Sequence, residues 1–182
     1  MSNTRSNKFI KYSLICLVVF ILAFVDQITK YLVVNKLDLS KRYSVVKGII
    51  SFEYLENRGV AFGLFSGRLN LITILTVVIV LAIIYVIFIL DKAINNNPNC
   101  FKKFTMLQFV CAALIAGAIG NSIDRIRLGY VVDFISTDFI EFPTFNVADC
   151  YVTVGAAVLF VVIMFFISDD EFDSIKMREN DK

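Results

Sequence analysis

LITILTVVIVLAIIYVIFIL, residues Leu71 to Leu90, is a run of twenty residues in which only Thr73, Thr76 and Tyr85 carry polar side-chain atoms. At about 1.5 Å of rise per residue, such a helix is about 30 Å long, the thickness of a bilayer's hydrocarbon core. An uncharged run of this length reads as a membrane span. Working outward, three further stretches read the same way: about Phe9 to Val34, about Phe104 to Ile123, and about Val147 to Ile167. The fold class this predicts is an all-α membrane protein, a four-transmembrane-helix bundle forming a single integral membrane domain over residues 1–182. The first span resembles a signal peptide in its basic start, Arg5 and Lys8. It is too long for one and lacks a small-residue cleavage site, so it is expected to stay in the mature chain.

Composition agrees with the spans. Of the 182 residues, 58% are apolar and 19% charged, and the mean hydropathy is +0.74, whereas soluble domains lie nearer half apolar and a quarter charged. The net charge of +2 is too small to suggest a nucleic-acid partner. His is absent. Its absence removes Ser/His/Asp and Cys/His nucleophile systems and the commonest zinc sites, leaving carboxylates, Lys, Tyr, hydroxyls and thiols for chemistry. No metal and no cofactor is expected. Cys16, Cys100, Cys111 and Cys150 show no paired spacing and read as packing residues.

Four spans put both termini on one side, with the Asp91 to Lys103 segment, read as a plain surface turn around Asn95, Asn96, Asn97 and Pro98, and the mixed-charge tail from Ser168. The other side holds two longer connections, residues 35–70 and 124–146. Within the first, Tyr43 to Glu56 is rich in β-branched and aromatic residues and reads as one or two short strands lying at the membrane surface. The Lys and Arg count does not decide orientation, with nine on the tail side and eight on the other. The longest loop counts least in that rule, which favours cytoplasmic termini.

Charged groups at membrane depth are costly and usually functional. Here they are Asp26, Gln27 and Lys30 late in the first span, Asn121, Asp124 and Arg125 at the end of the third, and Asn146 and Asp149 at the start of the fourth. Parity of the spans brings all of them to one membrane face, the face with the two long connections. Four spans converging their polar ends describe a site. Singly, each has a plainer reading. Asp26 and Lys30, four apart, fit a helix ion pair. Asn57 to Gly63 fits a turn entering the second span. Gly117 and Gly120, with Ala113 and Ala116, fit close helix packing in lipid. Asn121, Asp124 and Arg125 share one helical face. Asp133, in Val-Val-Asp-Phe-Ile, is flanked by apolar residues that hold it at the membrane boundary, and Asp149 is similarly embedded with Asn146 one turn earlier. Two carboxylates meeting at such a boundary share a proton and titrate as a unit.

Together these motifs resemble the lipoprotein signal peptidases, the type II bacterial signal peptidases. The resemblance runs in order through Asp26-Gln27-x-x-Lys30, Asn57-x-Gly59-x-Ala61-Phe62-Gly63, Gly120-Asn121-x-x-Asp124-Arg125, Val132-Asp133-Phe134-Ile135 and Phe145-Asn146-x-Ala148-Asp149. It implies an aspartic endopeptidase that removes the signal peptide from diacylglyceryl-modified prolipoproteins, with Asp133 and Asp149 as catalytic dyad. It also implies Asn57, Gly59, Asn121, Asp124, Arg125 and Asn146 as residues that line or support the site, and Asp26 with Lys30 as a structural pair. By the same likeness the strands become a small β-sheet on the outer membrane surface, and the Asp133 to Asn146 connection corresponds to the family's mobile periplasmic or extracellular loop. Membrane lipid, prolipoproteins and the inhibitor globomycin are the implied partners, and a bacterial cytoplasmic membrane the implied location. Two positions depart from the family's usual residues, Ala116 in place of a glycine and Cys150 in place of a small Ser or Ala, and both changes are small in volume. The reading from another class is a small transporter or channel, which needs polar groups distributed through the bilayer's depth. A third is a catalytically inactive scaffold.

Overall fold

The computed structural model describes residues 2–59 and 67–176, without the side chains of residues 2–7. Ala61, Phe62 and Gly63 of the second motif lie outside the described residues. Four helices are long and apolar enough to cross a membrane: α1 (Ser2–Lys36), α2 (Leu69–Asn96), α3 (Phe101–Leu128) and α4 (Val147–Phe165). Most run further than the apolar stretches that announced them, because hydropathy marks the bilayer's edge whereas a helix stops only where its backbone is capped. α3 continues past the expected end at Ile123, through Asp124 and Arg125, to Gly129. There φ is 81° and the amide bonds to the Arg125 carbonyl at 3.1 Å, a left-handed cap that suits glycine. α4 starts as expected, capped by Asn146, and ends at Phe165 rather than Ile167.

α3 is the central helix. Over half of its apolar window is buried, against 11–17% for the other three, whose outward faces carry large exposed apolar side chains such as Phe20, Phe24, Ile74, Leu81, Phe88, Phe160 and Phe165. That pattern inverts the soluble rule and suits a lipid surround. Ile15, Ile87, Cys111, Ala112 and Ile115 join α1, α2 and α3 in one cluster, and Gln108 ties α3 to α2 by donating to the Ile87 carbonyl at 2.9 Å. The small-residue face works as read from the sequence. A Cβ added at Gly117 would lie 2.6 Å from the Ala148 carbonyl oxygen on α4, and one at Gly120 would lie 2.5 Å from Asp26 Oδ2 on α1. Cys100 and Cys111 are buried packing residues, but Cys16 is exposed on the outward face of α1 and packs no core.

A three-stranded antiparallel sheet caps the polar end of the bundle, in the order β1 (Tyr43–Val46), β2 (Ile50–Asn57), β3 (Val131–Thr137). Where one or two strands are expected within Tyr43 to Glu56, two are present, the second running on to Asn57. Ser51 is their buried member, its hydroxyl satisfied by donating to Asp138 at 2.8 Å. β3 was not foreseen. In the sequence Val131 to Thr137 reads as part of a connection, yet it pairs with β2 in the register Leu55 to Asp133 and Asn57 to Val131. Its run of buried residues shows why: a strand covered on both faces loses the alternation that marks strands in sequence.

The opposite end is more ordered than a turn and a tail. Asp91 is buried and ion-paired with Lys8 at 3.0 Å and with Lys11, tying α2 to α1. The short 3-10 turn Pro98–Cys100 buries Cys100 beneath it. A fifth helix, α5 (Asp169–Lys176), folds back onto the end of α2. Lys103 donates to both oxygens of Glu171 at 2.8 and 2.6 Å, and Asn96 donates to the Ser174 carbonyl at 3.1 Å. Half-exposed pairs of this kind contribute about 1 kcal/mol or less. Glu171→Ala is accordingly expected to lower the thermal midpoint by a few degrees in detergent and to leave activity per folded molecule unchanged.

Candidate active site

Asp149 is the third residue of α4. Asn146, the residue before the helix, accepts from the Asp149 amide at 3.0 Å, and Asp149 Oδ2 accepts from the Asn146 amide at 3.1 Å. This reciprocal capping box holds the carboxylate at the helix mouth, where the macrodipole favours negative charge. Asp149 Oδ1 accepts from Asn121 Nδ2 of α3 at 2.8 Å.

Asp133 sits mid-strand in β3 and is 1% exposed. Its Oδ2 accepts from Asn57 Nδ2, at the end of β2, at 2.8 Å, and its Oδ1 accepts from Asn146 Nδ2 at 2.6 Å. The chain after β3 turns back so that Phe145 bridges to Ile135, with amide-to-carbonyl distances of 2.8 and 3.0 Å. That bridge sets Asn146 beside Asp133, so one asparagine touches both aspartates. Asn57 Oδ1 in turn accepts from the Gly59 amide at 3.0 Å, and the Gly59 carbonyl accepts from Arg125 Nη2 at 3.2 Å.

Behind the aspartates lies a buried ionic group. Lys30 Nζ contacts Asp26 Oδ2 and Asp124 Oδ2, both at 2.9 Å, and donates to Asn121 Oδ1 at 2.9 Å. Asn146 Nδ2 also donates to Asn121 Oδ1, at 3.0 Å. With two donors fixing that oxygen, the Asn121 amide can only turn its nitrogen to Asp149. Lys30 is 3% exposed and Asp26 0%, so removing one partner would strand a buried charge.

Asp133 and Asp149 line one cavity of about 490 Å³ with Asn57, Asn121 and Arg125 on its polar side and Phe142, Phe145, Val152 and Val154 on its apolar side. Burial pushes the Asp133 carboxyl up to about 6. The Asp149 charge pushes the same way, against hydrogen bonds from Asn57 and Asn146 and the Lys30 charge. A carboxyl poised there, facing a second carboxylate across a half-apolar cavity, can take and give a proton near neutral pH.

The residues singled out from the sequence therefore meet as described. Asp133, Asp149, Asn57, Asn121 and Arg125 line the cavity, Asn146 is buried beside it and holds both aspartates, Gly59 braces Arg125, and Asp124, Asp26 and Lys30 stand behind. Asp26 and Lys30 are joined as the expected pair, and Asp124 completes a three-member group. Among the described residues there is no cluster that could hold a metal ion. Sequence reading missed the cavity's aromatic wall at Phe142 and Phe145, since an exposed loop has no periodicity to mark it. It also missed the use of main-chain amides: Ala148 donates to Asp26 Oδ1 at 2.9 Å and Val132 to Asp124 Oδ2 at 3.2 Å.

Fold and site define a multi-pass membrane protein with a carboxylate pair, one buried and one partly exposed, at one end of its bundle. The model of the signal peptidase II family matches residues 18–166. A lipoprotein signal peptidase of Enterococcus faecalis is 37% identical over 79% of this chain and 83% of its own length. One from Caldanaerobacter subterraneus is 41% identical over 81% and 94%. A solved bacterial membrane enzyme superposes with a TM-score of 0.70 and 27% identity, covering 93% of this chain and 94% of its own. The chain belongs to the signal peptidase II family, and it is a multi-pass peptidase of a bacterial membrane.

Proposed function

We propose that the protein is an aspartic endopeptidase that removes the signal peptide from diacylglyceryl-modified prolipoproteins, cleaving on the N-terminal side of the lipidated cysteine. The observation that carries this reading is the shared cavity, with Asp133 and Asp149 cross-linked through Asn146 and facing apolar walls. Asp133, whose burial favours the neutral form, keeps the proton that the pair holds. Asp149 takes a proton from a water between them as that water attacks the scissile carbonyl. Asp133 then stabilises the developing oxyanion and passes its proton toward the leaving amine. No covalent intermediate is needed. The sheet lies at the outer membrane surface with both termini cytoplasmic, so the substrate's lipid stays in the outer leaflet while its apolar signal helix rests against the bundle. Globomycin would occupy the same cavity.

The test is incubation of the purified full chain with a diacylglyceryl-modified prolipoprotein and its unmodified form, with products identified by mass. Cleavage of the modified form alone, leaving the lipidated cysteine as the new N-terminus, is expected. No cleavage by folded protein, or cleavage elsewhere, would refute the reading.

The pH dependence carries a sign. An active form with one proton on Asp133 is lost as pH rises through about 6, so kcat/KM, which reports the free enzyme, declines above that point. Substrate closing over the cavity excludes more water, so kcat holds to higher pH. The hydrogen bond from Asn57 lowers the Asp133 value, and Asn57→Ala is expected to move the alkaline limb of kcat/KM upward. The same shift makes ionised Asp133 a cost to the fold, with stability lost as pH rises from the ordinary carboxylate range through about 6. Rate profiles and thermal midpoints against pH check both statements.

A further inference from the structure

We propose that Lys30 is a positioning residue, the centre of a clamp that fixes the separation of the two aspartates by gripping the backbone immediately before each of them. This rests on the dyad reading above. The geometry is paired. Asp26 on α1 accepts, through Oδ1, the amide of Ala148, the residue preceding Asp149. Asp124 on α3 accepts, through Oδ2, the amide of Val132, the residue preceding Asp133. Lys30 joins the two gripping carboxylates, 2.9 Å from Asp26 Oδ2 and 2.9 Å from Asp124 Oδ2. Its third contact, to Asn121 Oδ1, sets the amide that donates to Asp149.

β3 and the start of α4 belong to separate elements, one in the sheet and one in the bundle, joined through the long connection after Thr137. The Phe145–Ile135 bridge and the side-chain bonds of Asn146 relate them on the cavity side, and this ionic group relates them from behind. An ion pair serving only to join helices would need side-chain contacts alone. Here each carboxylate spends an oxygen on a main-chain amide one residue from an aspartate. Gln27, donating to Asp124 Oδ1 at 2.9 Å and to the Gly120 carbonyl at 3.1 Å, holds the second oxygen of Asp124. Asp26, Lys30, Asn121 and Asp124 are buried, as are Val132 and Ala148, so water does not substitute for their contacts cheaply.

The chemistry at the oxygens discriminates between substitutions. Asp26 uses Oδ1 for the Ala148 amide and Oδ2 for Lys30, both acceptors of N–H bonds, so Asp26→Asn would set a donor against a donor whichever way the amide turned. Asp124→Asn can keep its oxygen on Lys30 and Val132 and so keep the grip; its nitrogen then faces Gln27, whose nitrogen stays on the Gly120 carbonyl, and only that outer bond is lost. Asp124→Ala loses the grip altogether.

The experiment measures kcat and KM per folded molecule of the full chain, with the thermal midpoint, for Lys30→Met, Asp124→Ala, Asp124→Asn and Asp133→Asn. The substrate is a diacylglyceryl-modified prolipoprotein. A clamp acts on the geometry of the reacting pair, so kcat is expected to drop more than about tenfold in Lys30→Met and Asp124→Ala with KM within about threefold, and Asp124→Asn to recover most of it. A purely structural role would lower the midpoint and the folded fraction but leave kcat per folded molecule unchanged, and that result in either variant would overturn the proposal. If Lys30→Met does not fold, Asp124→Ala and its rescue by Asn decide alone. Wild-type cleavage by Asp133→Asn would overturn the dyad reading itself. Inactive Asp133→Asn beside fully active Asp124→Ala would overturn the clamp only.

Discussion

Asp149→Asn is expected to yield a folded protein that cleaves on the order of a thousandfold more slowly, or not detectably, because an amide cannot accept the proton of the attacking water. Asp133→Asn is expected to lose as much, because an amide has no acidic proton for the oxyanion or the leaving amine. The two variants differ in what they do to the fold. In Asp149→Asn the new amide could satisfy the Asn146 amide with its oxygen, but its nitrogen would then face Asn121 Nδ2, now 2.8 Å from an Asp149 oxygen. Asn121 cannot turn to relieve this, since its own oxygen is held by Lys30 and Asn146. One buried donor is left unpaired, at a cost of about 1–3 kcal/mol. Asp133→Asn also meets two donors, Asn57 and Asn146. There Asn57, half-buried at the end of a strand, has its oxygen held by one donor, the Gly59 amide, against two on Asn121, and turns at lower cost. A larger drop in thermal midpoint is expected for Asp149→Asn than for Asp133→Asn, with both inactive in single-turnover cleavage at matched folded amounts.

Gly120→Ala is expected to be severely damaging for a single added methyl, with a loss of about 3 kcal/mol or more and of nearly all activity. The added Cβ would lie 2.5 Å from Asp26 Oδ2, 3.0 Å from its Cγ and 3.4 Å from the Ala148 Cβ. Asp26 has nowhere to withdraw, since one oxygen holds the Ala148 amide and the other Lys30. Relief therefore means either breaking a buried ion pair or moving α3 away from α1 and α4. Gly117→Ala meets the Ala148 carbonyl at 2.6 Å and Val152 Cγ2 at 2.8 Å; the valine can rotate but the carbonyl cannot. Thermal unfolding and cleavage per folded molecule rank the two, and a Gly120→Ala protein as stable and active as the wild type would contradict the packing described.

Much of this is legible in the sequence, for a physical reason. Lipid makes charge so costly that each buried polar residue stands out in sequence, and the parity of four spans then assigns all of them to one face. Asp26, Lys30, Asn121, Asp124, Asn146 and Asp149 were found that way. The spans were bounded less well, because Asp124 and Arg125 look like the start of a loop while Gly129, five residues after Asp124, is where the backbone stops α3. β3 was hidden because both its faces are covered, and α5 because its fixing contacts, Lys103 with Glu171 and Asn96 with the Ser174 carbonyl, join residues far apart in sequence. The amide grips of Asp26 and Asp124 could not be read at all. Main-chain donors carry no sequence signature.

The claim on which the account stands is that Asp133 and Asp149 act as one proton-holding pair. Infrared difference spectroscopy of the purified protein against Asp133→Asn, titrated with pH, tests it most directly. The account predicts a protonated-carboxyl band that persists above the ordinary carboxylate range and titrates near pH 6. It should be absent from Asp133→Asn and shifted to lower pH in Asp149→Asn, where the neighbouring charge is gone. A wild-type spectrum without such a band, or one unchanged by Asp149→Asn, would contradict it.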